Sequence, residues 1–178
     1  MTSGITVKVE MRPLFVDFVI SKFGNEKGEI YATTRNKFGQ LVKSLLQKQP
    51  YPYRAKNYEK EEHLEIILPE YDDLNNLYNN YLSENSEKII RRWVRTKFYF
   101  DLHTHIMEMH RAGLTNIKIA IINFCDLHNI NPDHYKENSL YKDFYRSRLR
   151  ERNKNAINIA SSFAGLLSAV CPLLVAAF

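Results

Sequence analysis

The sequence contains few of the residue types on which catalytic and metal-binding sites depend. Its 178 residues include two cysteines, Cys125 and Cys171, which lie far apart and have no paired spacing. A disulfide framework and a zinc site are therefore not expected. A glycine-rich phosphate loop, a nucleophile elbow and a pair of acidic residues with defined partners are also absent. These absences predict a protein that is not an enzyme and that uses neither a cofactor nor a metal ion.

The two ends of the chain differ in apolar content. Met1 to Arg12 contains no long apolar run, so no secretory signal is predicted, and the low cysteine content favours the cytoplasm. Asn155 to Phe178 carries no charged residue, and its stretch 156–178 is long enough to span a bilayer. Polar residues, a glycine and a proline dilute this stretch. Two alternatives stay open: a membrane tail, or a C-terminal helix that is buried in the domain or in an oligomer interface.

Charge is unevenly distributed along the chain, whose net charge is +5. From Glu59 to Glu87 nine residues are acidic and one, Lys60, is basic. From Lys88 to Lys154 fourteen are basic and seven are acidic. This asymmetry indicates either a molecule that self-associates head to tail or a basic binding face with an acidic back.

The first 82 residues have the pattern of a small α+β domain. Period-two patterns predict three strands, and helical spacing predicts a helix after each of them. The strands are expected at Ile5–Met11, Glu29–Thr33 and His63–Leu68, and the helices at Pro13–Gly24, Asn36–Lys48 and after Asp72 and Asp73. The expected fold class is therefore α+β, with a β-α-β-α-β unit at the N-terminus.

The next 69 residues, 86–154, predict three helices in a helix-turn-helix-like arrangement. Ser86 is a suitable N-cap for the first helix, and Gly113 is a suitable C-terminal cap. The second helix is expected after Thr115 and the third after Ser139. The connection from Asn129 to Ser139 is longer than the three or four residues of a tight helix-turn-helix. Three domains follow from these patterns: 1-82, 86-154, and an apolar C-terminal helix at 155-178.

Basic residues are concentrated on the first and third of these helices. Basic helices neutralise phosphates, which usually dominates affinity for nucleic acid. The candidate phosphate contacts are Lys142, Arg146, Arg148, Arg150 and Arg152 on the third helix, with Arg91, Arg92 and Arg95 on the first as support. A plain helical bundle with a solvated basic face is the alternative. If the C-terminal segment is a membrane anchor, the basic residues before it meet anionic lipid instead.

Two smaller groups of residues suggest other chemistry. Asp101 and His105 are four residues apart and share a helical face, but the spacing supplies no third metal ligand. The more economical interpretation is therefore a set of ordinary histidines on an amphipathic helix. Tyr51, Tyr53 and Tyr58 occur with basic residues in a loop, and such loops either stack single-stranded bases or pack over the edge of a core.

Several runs of residues resemble a known group of sequences. PLFVDFVISKFG, EIYATTRNKFGQLVKSLL, LEIILPEY, FYFDLHTHIMEMHRAGLTNIKIAIINFCDLHNI and LYKDFYRSR resemble uncharacterised small proteins of bacterial phages and integrated mobile elements. The resemblance covers Ile5 to Arg150 and does not extend beyond Lys154. It implies a phage or mobile-element origin and a DNA-binding role, and it supplies no catalytic residues.

The leading hypothesis is a non-enzymatic DNA-binding protein that acts by occupying its site. Its basic helices would contact the phosphates. One alternative is a virion or assembly protein that self-associates through its apolar C-terminus. The other is a tail-anchored protein whose residues 156–178 insert into a membrane.

Overall fold

Strands and helices account for most of the described chain and confirm the α+β fold class. The computed structural model describes residues 5–50, 63–72 and 74–151. In chain order, they form β1 (Ile5–Glu10), α1 (Pro13–Phe23), β2 (Ile30–Tyr31), α2 (Lys37–Leu45), β3 (His63–Leu68), α3 (Glu84–Arg111), α4 (Ile117–Leu127) and α5 (137–151). A 3-10 turn, Pro132–His134, lies between α4 and α5.

The chain divides into two compact units, Met1–Lys136 and Glu137–Phe178. The first contains the sheet and helices α1 to α4, and the second contains α5. The limits 1-82, 86-154 and 155-178 stay a prediction from the sequence. Residues 155–178 and the tyrosine-rich loop at 51–62 lie outside the described residues.

The three strands form one mixed sheet in the order β1-β3-β2. β1 and β3 are antiparallel, with Val7 opposite Ile66 and Val9 opposite Leu64, and β2 runs parallel to β3. These four side chains are buried on one face of the sheet. On the other face, Lys8 and Glu65 form an ion pair of 2.8 Å, as the alternating pattern of apolar and polar residues predicts.

Helices α1 and α2 begin and end close to the residues that the sequence indicates. Pro13 starts α1, and the backbone N–H of Gly24 donates to Ile20 O. A Cβ at Gly24 would lie 2.4 Å from that oxygen, so glycine is required there. The Asn36 side chain caps α2 by accepting from the N–H of Gly39. This helix ends at Leu45, three residues before the predicted end.

The helix predicted after Asp72 is wrong. The described residues 74–82 form turns and isolated bridges instead. The side-chain oxygen of Asn75 accepts from the N–H of Leu77 and forms a local turn. Asparagine side chains that bond nearby backbone groups compete with the helical ladder. The apolar residues of this segment therefore do not form the stripe of a helix, and Leu77 is exposed.

Helix α3 is the longest element and supplies the central row of the core. It begins at Glu84 with Ser83 as its N-cap, rather than at the predicted Ser86, which is buried and donates to Leu45 O. The buried row consists of Ile90, Val94, Phe98, Leu102 and Ile106. The ring of Phe98 contacts Phe15 and Phe18 of α1 and Phe124 of α4, edge to face at 5.3–5.7 Å.

The connections that follow α3 and α4 contain local capping interactions. Residues 112–116 join α3 to α4, and Gly113 has the positive φ of 96° that its predicted capping position requires. Asn129 also has a positive φ, 48°, just after α4. Asn131 accepts from the N–H of Asp133 and caps the 3-10 turn, and Pro132 occupies the first position of that turn.

None of the helices in the described part of the chain combines the length and hydropathy that crossing a bilayer requires. The membrane-tail prediction concerns residues 156–178, which are not among those described. The same is true of the predicted assembly through that segment.

Candidate nucleic-acid interface

One face of α5 carries a row of three cations. Lys142, Arg146 and Arg150 follow one another at intervals of four residues, which places them on the same side of a helix about 6 Å apart along its axis. All three are exposed, and Leu140 and Phe144 are buried on the opposite side. Within residues 137–151, the acidic partner in an ion pair of this row is Asp143, 3.7 Å from Arg146. We call these three residues the α5 cation row.

The other two candidates from the third helix are placed differently. Arg148 is two residues beyond Arg146 and therefore lies on another side of α5, where its guanidinium is 5.8 Å from the ring centroid of Phe144. Arg152 lies outside the described residues. The structure thus brings together three of the five cations that the sequence singles out on this helix.

Helix α3 carries a second basic face near its N-terminus, in the other compact unit. Lys88, Arg91, Arg92 and Arg95 share this face through intervals of three and four residues. Three of these four side chains interact with another residue of the described chain. Lys88 is 3.9 Å from Glu84, Arg91 is 3.9 Å from Glu87, and Arg95 lies 5.9 Å from the ring centroid of Tyr99.

Arg91 is held more firmly than the others. Its guanidinium also donates to the backbone oxygen of Glu10 at 3.3 Å, at the end of β1. Its partner Glu87 is buried, with 6% of its side chain exposed. A buried carboxylate is unfavourable unless it is compensated, so Arg91 supports the fold by joining α3 to the sheet.

The Asp101 carboxylate neutralises two further cations on a different side of α3. It lies 2.7 Å from the ammonium of Lys97 and 3.1 Å from that of Lys22 on α1. Its side chain is 13% exposed. Asp101 is therefore engaged by two lysines, and the described residues contain no group of three candidate ligands for a metal ion.

The segment between α4 and α5 is attached to α1. The carboxylate of Asp17 accepts from the N–H of Asn131 at 3.1 Å and lies 2.6 Å from Nδ1 of His134. Ser21, one turn later, is 3.2 Å from Nδ1 of His128. Sequence reasoning missed Asp17, whose only signal is an acidic residue on an otherwise apolar stretch of α1.

The ring of His128 lies among aromatic and charged groups. Its centroid is 5.2 Å from that of Phe18 and 4.6 Å from that of Phe124. Burial lowers the pKa of His128, and the nearby ammonium of Lys22 lowers it further, while Asp101 acts in the opposite direction. The neutral imidazole is therefore favoured over the protonated form.

Sequence reasoning also missed a row of ring and apolar side chains beside the α5 cation row. Tyr141, Tyr145 and Leu149 repeat at the same interval of four residues, one position before each cation. The centroids of the two tyrosine rings are 4.7 Å apart. A hydrogen bond to Tyr145 raises the pKa of Tyr141. In the sequence, this row could have been found from the pairs Tyr-Lys, Tyr-Arg and Leu-Arg, which recur every fourth residue from Tyr141.

Cys125, which is the cysteine within the described residues, is buried in α4, and its thiol is not activated as a nucleophile. Its burial raises the pKa of the thiol to about 11, so the thiolate is scarce at neutral pH. The side chain serves as a small apolar residue in the core.

Comparisons with protein-family models, with curated proteins and with solved structures gave no match to this chain.

Proposed function

We propose that this protein binds DNA without catalysing a reaction, through phosphate contacts made mainly by the α5 cation row. Lys142, Arg146 and Arg150 are the principal contacts. The observation that carries the proposal is their alignment and exposure on one face of α5, where Arg146 has 68% of its side chain exposed. Exposed basic side chains can displace counterions from phosphates, and the Arg146–Asp143 ion pair of 3.7 Å is itself solvent-exposed.

The basic face of α3 has a smaller part in this proposal. Arg92 and Arg95 are exposed and support binding, whereas Arg91 is committed to Glu87 and to Glu10 O. Arg148 and Arg152 stay predicted phosphate contacts. A cytoplasmic location and a phage or mobile-element origin are consistent with this function, and we include both in the proposal.

The proposed contacts are with the phosphates of the DNA backbone, so they do not distinguish one base sequence from another. Charged side chains on phosphates set affinity and orientation, while specificity needs contacts with base edges or sequence-dependent shape. We therefore expect binding to duplexes of unrelated sequence with similar affinity. Each neutralised phosphate adds about −0.9 to the slope of log affinity against log salt concentration.

The test is a fluorescence anisotropy titration of a labelled duplex at about 50 mM and about 200 mM salt. The double variant Arg146→Ala/Arg150→Ala is expected to bind roughly 50-fold more weakly at 0.1 M salt and to lose about 2 from the salt slope. Both effects follow from the loss of two phosphate contacts.

The matched control is the double variant Arg35→Ala/Arg111→Ala. It removes two exposed arginines from the first compact unit, neither of them on a basic face. We expect it to retain most of the affinity and the slope. Equal weakening by both double variants would show that only net charge matters, and an unaltered α5 variant would remove the proposal.

A further inference from the structure

The surface beside the α5 cation row carries exposed ring and apolar side chains that the phosphate contacts do not use. Tyr145 is 43% exposed and Leu149 is 54% exposed, although both are large apolar side chains on a helix whose core-facing residues are buried. The two rows run parallel because each repeats every fourth residue and they are offset by one position. The two rows lie about 100° apart around the helix axis, so neighbouring sides of α5 offer an apolar line and a cationic line.

The geometry points to single-stranded DNA as the ligand of this double row, an inference that rests on the proposed function. A single strand presents two kinds of group along its length, phosphates and unpaired bases. The cation row meets the phosphates, and the rings of Tyr141 and Tyr145 meet the faces of the bases. A duplex keeps its bases stacked on one another, so it offers phosphates to the cations but no base face to the tyrosines.

The tyrosine pair is arranged so that Tyr145 remains the accessible ring. The two ring planes make an angle of 53°, and the ring centroids lie 4.7 Å apart. Tyr145 also contacts the ring of Phe144 edge to face at 6.0 Å. These contacts hold its ring in place, so little side-chain entropy is lost when a base stacks on it.

A second copy of this chain is the competing occupant, and the size of the row argues against it. A stable protein interface needs about 800 Å² from each partner. Three side chains, of which Tyr141 is already half-buried, supply much less than that. The adjoining row of three cations also favours a polyanion, because two copies placed together along this face would bring like charges together.

The test compares labelled oligo(dT) with a duplex of the same length, using the full chain at one salt concentration. The wild-type protein is expected to bind the single strand about tenfold more tightly than the duplex. Tyr145→Ala is expected to weaken single-strand binding about tenfold and to leave duplex binding and both salt slopes unchanged. Tyr145→Phe keeps the ring and is expected to retain most of the preference.

The matched control is Tyr78→Ala, which removes a tyrosine that is 66% exposed in a loop without a basic row. It should change neither affinity. Equal binding of the two ligands, or equal effects of Tyr145→Ala on both, would overturn the single-strand inference while leaving the phosphate contacts intact. Absence of binding to both ligands would instead remove the proposed function. If Tyr145→Ala abolished self-association on sizing and left both affinities unchanged, the row would be a protein interface and the inference would be wrong.

Discussion

Helices α3 and α5 carry similar sets of basic residues but place them in different surroundings. On α3, Lys88 and Arg91 each have a glutamate four residues earlier, and Lys97 has Asp101 four residues later. On α5, the residue four positions from each of Lys142, Arg146 and Arg150 is another cation of the row. The acidic residue that pairs with this row is Asp143, 3.7 Å from Arg146. The burial of the acidic residue one turn away therefore decides whether a basic residue stabilises the fold or offers its charge to a ligand: Glu87 and Asp101 have 6% and 13% of their side chains exposed, whereas Asp143 has 39%.

We expect the largest loss of stability when a residue of the buried row of α3 is truncated. Phe98→Ala is expected to lower the free energy of unfolding by about 3–5 kcal/mol, because Phe98 is fully buried against three other rings. Urea denaturation measures the change. Leu149→Ala on α5 is the control, with an expected change within about 0.5 kcal/mol since its side chain is exposed. Equal losses in the two variants would contradict the different roles of these helices.

A smaller loss of stability is expected when the shared carboxylate on α3 is neutralised. Asp101→Asn leaves the ammonium groups of Lys22 and Lys97 without their anion and is expected to cost about 1–3 kcal/mol. Asp143→Asn, the matched change on α5, should stay within about 0.5 kcal/mol because its ion pair is exposed. Urea denaturation of both variants tests the difference, which would disappear if the Asp101 network contributed nothing.

The pH dependence of stability should also differ between the two units. Because the pKa of His128 is lower in the folded state than its ordinary value of 6.5, the unfolded chain takes up a proton first as the pH falls. The contribution of His128 to stability is therefore complete above pH 6.5 and is lost between that pH and its folded pKa. His128→Gln should flatten this part of a plot of melting temperature against pH. Residues 137–151 contain no histidine, so Arg150→Ala should leave the plot unchanged; a flattened plot in that variant would contradict the assignment.

The smallest expected effect concerns the acidic residue beside the α5 cation row. Asp143→Asn releases Arg146 from its 3.7 Å ion pair and removes one negative charge near the phosphates. The affinity for duplex DNA is expected to rise by less than about eightfold at 0.1 M salt, the contribution of one phosphate contact. An anisotropy titration measures it, and a weakened affinity would show that Asp143 positions Arg146 for binding.

The ends of α1 show what could be predicted from the sequence. Pro13 and Gly24 fix its limits through local backbone geometry, and neither depends on the rest of the molecule. The segment after Asp72 shows the reverse. Its apolar spacing favours a helix, but the side chain of Asn75 accepts from the backbone N–H of Leu77, and a periodic pattern does not record that competition.

The candidate site was predictable to a similar degree. The spacing of Lys142, Arg146 and Arg150 shows that they share a face of α5, and the structure adds their exposure. The commitment of Arg91 could not be predicted in full, because its second partner is the backbone oxygen of Glu10, 81 residues away in sequence. Contacts of this kind arise only when the sheet and α3 come together.

The most direct test compares the salt dependence of duplex binding in two charge-matched triple variants. Lys142→Ala/Arg146→Ala/Arg150→Ala removes the α5 cation row, and Lys88→Ala/Arg92→Ala/Arg95→Ala removes three cations from α3 and leaves Arg91 in place. The first is expected to lose roughly 3 from the slope of log affinity against log salt concentration, and the second no more than about 2, because Arg92 and Arg95 are supporting contacts. A larger loss in the α3 variant, or equal losses in both, would contradict the account.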